Sequence, residues 1–423
     1  MRCHRSRGGR TAALYGRQAL RAERTTAACE ATERPRIRVA AVSKWLMRKL
    51  GEICDVVSGS TPSTTVPEYW DGDVPWVTPK DLGKLPGSLL RTTERRITRS
   101  GLASCSAQLV PRGTVILSSR APIGHLAVAE VECCSNQGCK NLVPRNYVNS
   151  WYLYFALKHS VPTLQELGSG ATFIEISKTV VESFEIPLPP LPEQRRIAAE
   201  LTAQMEEVQR MRRAAERQLA AARTLPGAYL REVFGSEEAK EWGRLRFGEL
   251  VENYDGRRIP VKLEDRRGRQ GQYPYYGASG IIDYIDEFLF EGEYLLVAED
   301  GANLVLRSTP VAFRASGKFW VNNHAHVVQP KERGLFDYLL YFLEATDLKP
   351  YVSGAAQPKM TQSDMNSIPV SLPPLPTQRR VVAQLNDRMA QVEQTRRGLE
   401  RQREAIAALP GALLHEVFGE WAI

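Results

Sequence analysis

The stretch LPPLPEQRRIAAELTAQMEEVQRMRRAAERQLAAARTLPGAYLREVFG, residues 188–235, returns as LPPLPTQRRVVAQLNDRMAQVEQTRRGLERQREAIAALPGALLHEVFG at residues 372–419. The offset is 184 without a gap, and 27 of the 48 positions are identical. A repeat of this quality sets the organisation of a chain before weaker signals are weighed. Upstream of each copy the correspondence is looser. Leu50-Gly51-Glu52-Ile53 answers Phe247-Gly248-Glu249-Leu250, and Gly113-Thr114-Val115-Ile116-Leu117 answers Gly292-Glu293-Tyr294-Leu295-Leu296. Asn136-Gln137 before Pro144 answers Asn322-Asn323 before Pro330. The chain therefore reads as two half-molecules, each a diverged segment followed by a well-kept one.

The well-kept segments carry a helical pattern. Pro192 and Pro376 suit a first helical position, where no amide hydrogen is needed, and Glu193 places negative charge in a first turn. Leu201, Met205, Val208, Ala215, Leu219 and Ala222 then follow a 4-3 spacing, with one polar break at Arg212. The second copy repeats it with Leu385, Met389, Val392, Leu399 and Ile406; Arg396 stands at the break and Arg403 stands where the first copy has Leu219. This is a coiled-coil seam. Pro226-Gly227 and Pro410-Gly411 predict the end of each long helix, with a short helix beyond, closed by Gly235 or Gly419. A helix of about 33 residues would be about 50 Å long. Two such helices with matched seams are expected to pack antiparallel.

The diverged segments, 47–187 and 236–371, read as α+β globules. Short β-rich runs such as Gly113–Ser118, Tyr294–Val297 and Phe319–Val328 are broken by Gly, Pro and Asn turns, while Trp151–Lys158 and Phe336–Leu343 are helix candidates. The expected architecture is two globular domains joined by two long antiparallel coiled-coil helices in a pseudo-two-fold repeat. Its parts are an N-terminal extension (1–46), a first globule (47–187), a central helical region (188–235), a second globule (236–371) and a distal helical region (372–423).

Charge misleads at the level of the whole chain. The net charge is +8, but residues 1–46 hold 11 Lys+Arg against 3 Asp+Glu, so the other 377 residues hold 45 of each sign. A nucleic-acid partner must therefore be argued from architecture and local patches. The basic extension, rich in Arg, Ala and Thr, reads as disordered, with Met47 or a nearby residue expected as the start; a DNA-touching arm is the functional alternative. No apolar run approaches the roughly 18–20 residues that a membrane helix requires, and a cytoplasmic protein is expected. Seven cysteines, an odd number, all lie in the first half, and Cys133, Cys134 and Cys139 lack zinc-ligand spacing. Reduced thiols and no metal site are expected. The chain shows no Asn/Asp-Pro-Pro-aromatic methyltransferase motif, no Gly-Lys-Ser/Thr phosphate loop and no HExxH, so no catalytic centre is expected.

In combination, the motifs of residues 47–423 resemble the specificity subunit of type I restriction–modification systems. The first globule carries Ser58-Gly59-Ser60-Thr61-Pro62-Ser63, Tyr69-Trp70, Pro75-Trp76-Val77-Thr78-Pro79-Lys80-Asp81-Leu82, Ser118-Ser119-Arg120-Ala121-Pro122-Ile123-Gly124 and Asn136-Gln137-Gly138. The second carries Tyr275-Tyr276-Gly277-Ala278-Ser279-Gly280, Glu299-Asp300-Gly301-Ala302 and Trp320-Val321-Asn322-Asn323-His324-Ala325-His326. PPLPEQRR and PPLPTQRR are similar to the starts of the family's conserved regions. The basic extension is a departure, since the family pattern does not require it.

The resemblance implies that each globule is a target-recognition domain reading one half of a split site on double-stranded DNA. It implies that the helices set the spacer and dock two modification (methyltransferase) subunits, and that two restriction subunits join them. S-adenosylmethionine, ATP and Mg2+ would be used by those partners, and this chain would bind no cofactor. A rod of about 50 Å spans about 15 base steps of roughly 3.4 Å, an upper bound on the distance between domain anchors.

Base-edge reading calls for Arg, Lys, Asn and Gln at groove-facing positions. The candidates are Thr61, Lys80, Ser119, Arg120, Asn136, Gln137, Lys140, Ser279, Lys318, Asn322, Asn323 and His324, each of which also fits a turn-forming or structural role. His324 and His326 are expected on one strand face, which would suit a metal, but no third ligand is apparent. Tyr273, Tyr275 and Tyr276 read as core. Three other readings stand beside this one: an enzyme with an unrecognised centre, a coiled-coil scaffold without DNA contact, and the specificity subunit of a methylation-only system.

Overall fold

The structure is a computed structural model and describes residues 45–168, 174–354 and 357–419. The expectation for the basic extension falls almost wholly on residues 1–44, outside the described residues. The first described elements lie slightly upstream of residue 47, where the first globule was expected to begin. Leu46–Lys49 is a strand paired antiparallel with Glu185–Leu188, and Trp45 packs on the first core.

The described residues fall into two compact units, one within 45–210 and 407–419, the other within 211–406. In the first unit a five-stranded sheet runs in the order Cys54–Ser58, Cys139–Pro144, Val115–Ser118, Leu126–Ala129, Leu89–Leu90. A three-stranded sheet places Trp70–Val77 between Arg95–Ile97 and Cys134–Ser135. The apolar Ser150–His159 helix starts on Asn149, whose side chain accepts from the backbone of Trp151 and Tyr152 at 3.1 and 3.0 Å. An Asn in this place satisfies amides that the first turn leaves without partners. The residues Tyr152–Leu157 are all buried, which accounts for the lack of a polar face in that stretch.

The second unit is built on a six-stranded sheet in the order Val251–Asn253, Ala325–Pro330, Phe290–Ala298, Ala312–Val321, Gln270–Gly277, Gly280–Ile285. The run Phe319–Val328 is not one strand. Asn322, Asn323 and His324 form a turn between Ala312–Val321 and Ala325–Pro330. Asn322 accepts from the His324 amide at 2.8 Å, and an Asn side chain that caps its own turn in this way competes with the ladder.

The two units repeat the same frame around their long helices. One-turn helices Leu50–Ile53 and Phe247–Leu250 each lead in from a strand, and Lys178–Ser183 and Gln362–Ser367 lie against them. Tyr152 donates its hydroxyl to the Pro187 carbonyl at 2.7 Å, and Tyr338 donates to that of Ser371. At the helix starts, Gln194 and Gln378 are both buried and donate to the carbonyls of Pro189 and Pro373, each at 2.8 Å.

The long helices run Leu191–Phe234 and Leu375–Phe418, 44 residues each, straight through Pro226 and Pro410. The expected breaks do not occur. A helical proline forfeits one amide bond and crowds the preceding turn; here the residues beyond it are held by packing. Leu230 lies in the core of the second unit and Leu414, Val417 and Phe418 lie in that of the first. Tertiary burial outweighs the local signal.

Each unit thus contains the start of one helix and the end of the other. In the first, Ile197 and Leu201 join Leu414, Val417 and Phe418 in one core, with Met205 packed against it. In the second, Leu230 joins Val381 and Leu385, with Met389 alongside, and Glu232 pairs with Arg388 at 2.8 Å. A start meeting an end is the contact made by antiparallel helices. Along the seams Val208, Ala215, Leu219, Ala222, Val392 and Ile406 are buried and Leu399 is half-buried, while Arg212 and Arg403 are exposed. Among the described residues no helix is long and apolar enough to cross a membrane.

Candidate nucleic-acid interface

In the first unit the sequence motifs converge on the turn Asn136-Gln137-Gly138. Asn136 forms it by accepting from the Gly138 amide at 3.0 Å, and its own amide donates to the Val77 carbonyl at 2.8 Å. The Ser58–Ser63 motif wraps this turn. Ser60 donates to the Ser135 carbonyl at 2.9 Å, Trp76 Nε1 donates to the Ser60 carbonyl at 3.0 Å, and Thr61 donates its hydroxyl to Gln137. Gly59 is required by contact: a Cβ there would lie 1.9 Å from the Asn136 carbonyl oxygen. Of the candidates here, Gln137 is exposed and Thr61 and Asn136 are half-buried.

Ser119, Arg120 and Lys140 meet around Glu175, a residue the sequence reading did not single out. Glu175 Oε1 lies 3.1 Å from the Lys140 ammonium and 3.2 Å from the Ser119 hydroxyl, and Oε2 lies 3.5 Å from Arg120. Lys140 also reaches the Ser119 hydroxyl at 3.2 Å. Ser119 and Lys140 are buried. They hold the floor of the site, whereas the half-buried Arg120 guanidinium reaches its surface. Lys80 lies apart from this group, exposed and paired with Glu94 at 3.0 Å.

The second unit has the same turn, Asn322-Asn323-His324. Its Asn322 amide donates to the Tyr276 carbonyl at 3.1 Å, as Asn136 does to Val77. Beside it is the tip of the hairpin Gln270–Gly277/Gly280–Ile285, where Ala278 and Ser279 form a two-residue turn closed by Gly280 at φ +122°. Ser279 and Asn323 are exposed, Asn322 is buried, and His324 is half-buried. Lys318 does not join this group. It lies four residues up the strand, opposite Glu291 in register, with its ammonium 4.6 Å from the Phe288 ring centroid.

The two histidines do not share a face. His324 lies in the turn and its Nδ1 is 2.8 Å from Asp300. His326 is buried, with Nδ1 2.6 Å from Asp255 and Nε2 2.9 Å from the Met360 carbonyl. Asp255, Glu299 and His326 bring ligand-type atoms within 4.8 Å of one another. Arg258 already supplies the cation there, with NH1 2.5 Å from Glu299 and NH2 3.5 Å from Asp255. The cluster is a buried ion-pair network. Burial pushes the Asp255 and Glu299 carboxyls up, but His326 and Arg258 hold both below the usual carboxylate range. Burial also pushes the Cys133 and Cys134 thiols up to about 12, so these cysteines are poor nucleophiles. Tyr275 is core, as its type and place indicate, while Tyr273 and Tyr276 are half-buried.

The two nodes are equivalent in backbone and different in chemistry. Ser119 donates its amide to the Gly138 carbonyl and accepts from Ile176 at 3.0 Å; Glu299 donates to the His324 carbonyl and accepts from Met360 at 2.8 Å. Ser119, Lys140 and Glu175 thus correspond to Glu299, His326 and Lys359. One signal in the sequence pointed to Glu175: the 184-residue offset, carried upstream of the repeat, sets it opposite Lys359.

The protein is thus a duplicated α+β globule, each copy presenting one Asn-formed turn with different side chains and each continuing into a 44-residue helix. The chain belongs to the type I restriction modification DNA specificity domain family, whose model matches residues 42–214 and 239–401. It is 28% identical over 364 residues to the type I restriction enzyme MjaIX specificity subunit of Methanocaldococcus jannaschii, covering 78% of this chain and 84% of that one. To the EcoprrI specificity subunit of Escherichia coli it is 25% identical over 360 residues, 81% of this chain and 86% of the relative. The fold is shared with a chain solved in work on assembly of the type I R-M system (TM-score 0.68, 21% identity, 89% of this chain and 98% of that one). It is shared too with the HsdS subunit of Thermoanaerobacter tengcongensis (TM-score 0.59, 22% identity, 88% and 96%).

Proposed function

We propose that each globule reads one half of a two-part double-stranded DNA site, through the Asn136–Gly138 turn with Arg120 in one and the Asn322–His324 turn with Ser279 in the other. The long helices set the spacer and dock two modification subunits, which two restriction subunits join. S-adenosylmethionine, ATP and Mg2+ are then used by those partners, and this chain positions the chemistry without performing it. One observation carries the reading: in a family of DNA specificity domains, equivalent turns held by the same backbone bonds present different side chains in the two halves. Base edges are distinguished by such side chains, whereas a scaffold has no need for the halves to differ at these points. At 44 residues each helix is about 66 Å long, which raises the upper bound on the anchor distance to roughly 19 base steps.

The test is a domain exchange. With residues 236–371 replaced by the corresponding domain of a relative, the assembled complex should methylate a site altered in one half and unchanged in the other. Changes of equal size in both halves would refute separate reading heads.

A further inference from the structure

The turn of the second globule holds a carboxylate–imidazole pair. Asp300 places both carboxylate oxygens against His324 Nδ1, at 2.9 and 2.8 Å. The Asp300 side chain is only 15% exposed, whereas that of His324 is 46% exposed. The backbone holds both in place: His324 accepts from the Glu299 amide through its carbonyl at 2.9 Å and donates its own amide to Asn322 at 2.8 Å. Asp300 in turn bridges to Lys359. In the first globule the matching positions are Arg120 and Gly138, so this pair belongs to the second half alone.

We infer that Asp300 is a positioning residue that fixes the tautomer of His324, making Nε2 a hydrogen-bond acceptor that selects one base of the second half-site. A carboxylate only accepts, so in the neutral imidazole Nδ1 carries the proton and Nε2 presents a lone pair. In the major groove that lone pair suits the exocyclic amino group of adenine or cytosine. It opposes guanine O6 and thymine O4, which are themselves acceptors. The inference rests on the DNA-reading function proposed above and assigns one contact within it.

The experiment uses the full chain assembled with its modification subunits, measuring binding and methylation across single-base variants of both half-sites. His324→Ala should relax one base position of the second half-site roughly tenfold or more, the range of one specific base contact, and leave the first half unchanged. Asp300→Ala should relax that same position. Asp300→Asn supplies a readout that a purely structural role would not move. The Asn amide can present either its oxygen or its nitrogen to Nδ1, which lets both tautomers form. That variant should keep the wild-type base and newly accept guanine where the wild type reads adenine, or thymine where it reads cytosine. If His324→Ala leaves every second-half preference intact while the wild type discriminates, the inference is overturned and the function stands. It is also overturned if Asp300→Ala or Asp300→Asn weakens all sequences alike. A wild-type complex without sequence-selective binding would instead remove the function itself.

Discussion

The Lys140 ammonium sits 3.1 Å from the Glu175 carboxylate with 6% of its side chain exposed, while Glu175 keeps 31%. The pair is therefore asymmetric: the cation is buried and the anion reaches water. Removing the anion strands a charge that cannot rehydrate, whereas removing the cation leaves a carboxylate with Ser119, Arg120 and solvent as partners. Breaking a buried pair from one side costs up to about 3–5 kcal/mol, and water on the Glu175 side reduces this. We expect Glu175→Gln to lower stability by about 2 kcal/mol and Lys140→Met by about 1 kcal/mol. Urea unfolding measures both, and an inverted order would contradict the assignment of burial.

Phe418 ends the second long helix fully buried, its ring 5.7 Å from that of Tyr152. Phe234 ends the first and meets Tyr338 at 5.6 Å, but is only half-buried. Core Phe→Ala changes cost about 3–5 kcal/mol, and partial exposure reduces the loss. Phe418→Ala should therefore destabilise the chain by about 3 kcal/mol and Phe234→Ala by about half as much. Equal losses in denaturant titrations would show that the helix ends are not docked as described.

Acid should weaken the second unit through Asp255 and Glu299. Their folded-state carboxyls lie below the ordinary range, so the folded protein binds fewer protons than the unfolded chain near pH 4. The stabilisation is present above the unfolded value, about pH 4, and is lost as pH falls through the folded one. Asp255→Asn and Glu299→Gln should lower stability at neutral pH and flatten its fall in acid. An unchanged acid slope in both variants would place the titration elsewhere.

Inserting one heptad near Val208 and a matching heptad near Val392 keeps the seam in phase. Seven residues add about 10 Å, roughly three base steps. The methylated site should gain spacer length with both half-sites unchanged, as read by mapping methylated positions. Altered half-site bases would break the link between the helices and the spacer.

The sequence by itself determined the two-fold organisation, because a gapless 184-residue repeat with a seam at helical spacing has one simple reading. It also determined the elements whose pattern is local, such as the Ser150–His159 and Phe336–Ala345 helices. Only the tertiary structure decided where the long helices end, since Pro226 and Pro410 are overruled by cores assembled from distant parts of the chain. The same holds for the site. Glu175 lies 35 positions from Lys140, and Asp300 lies 24 from His324. Whether a Lys or His is a buried strut or an exposed reader depends on which carboxylate the fold brings beside it and on how much water remains there. A one-dimensional pattern records the residue type and leaves that partner unnamed.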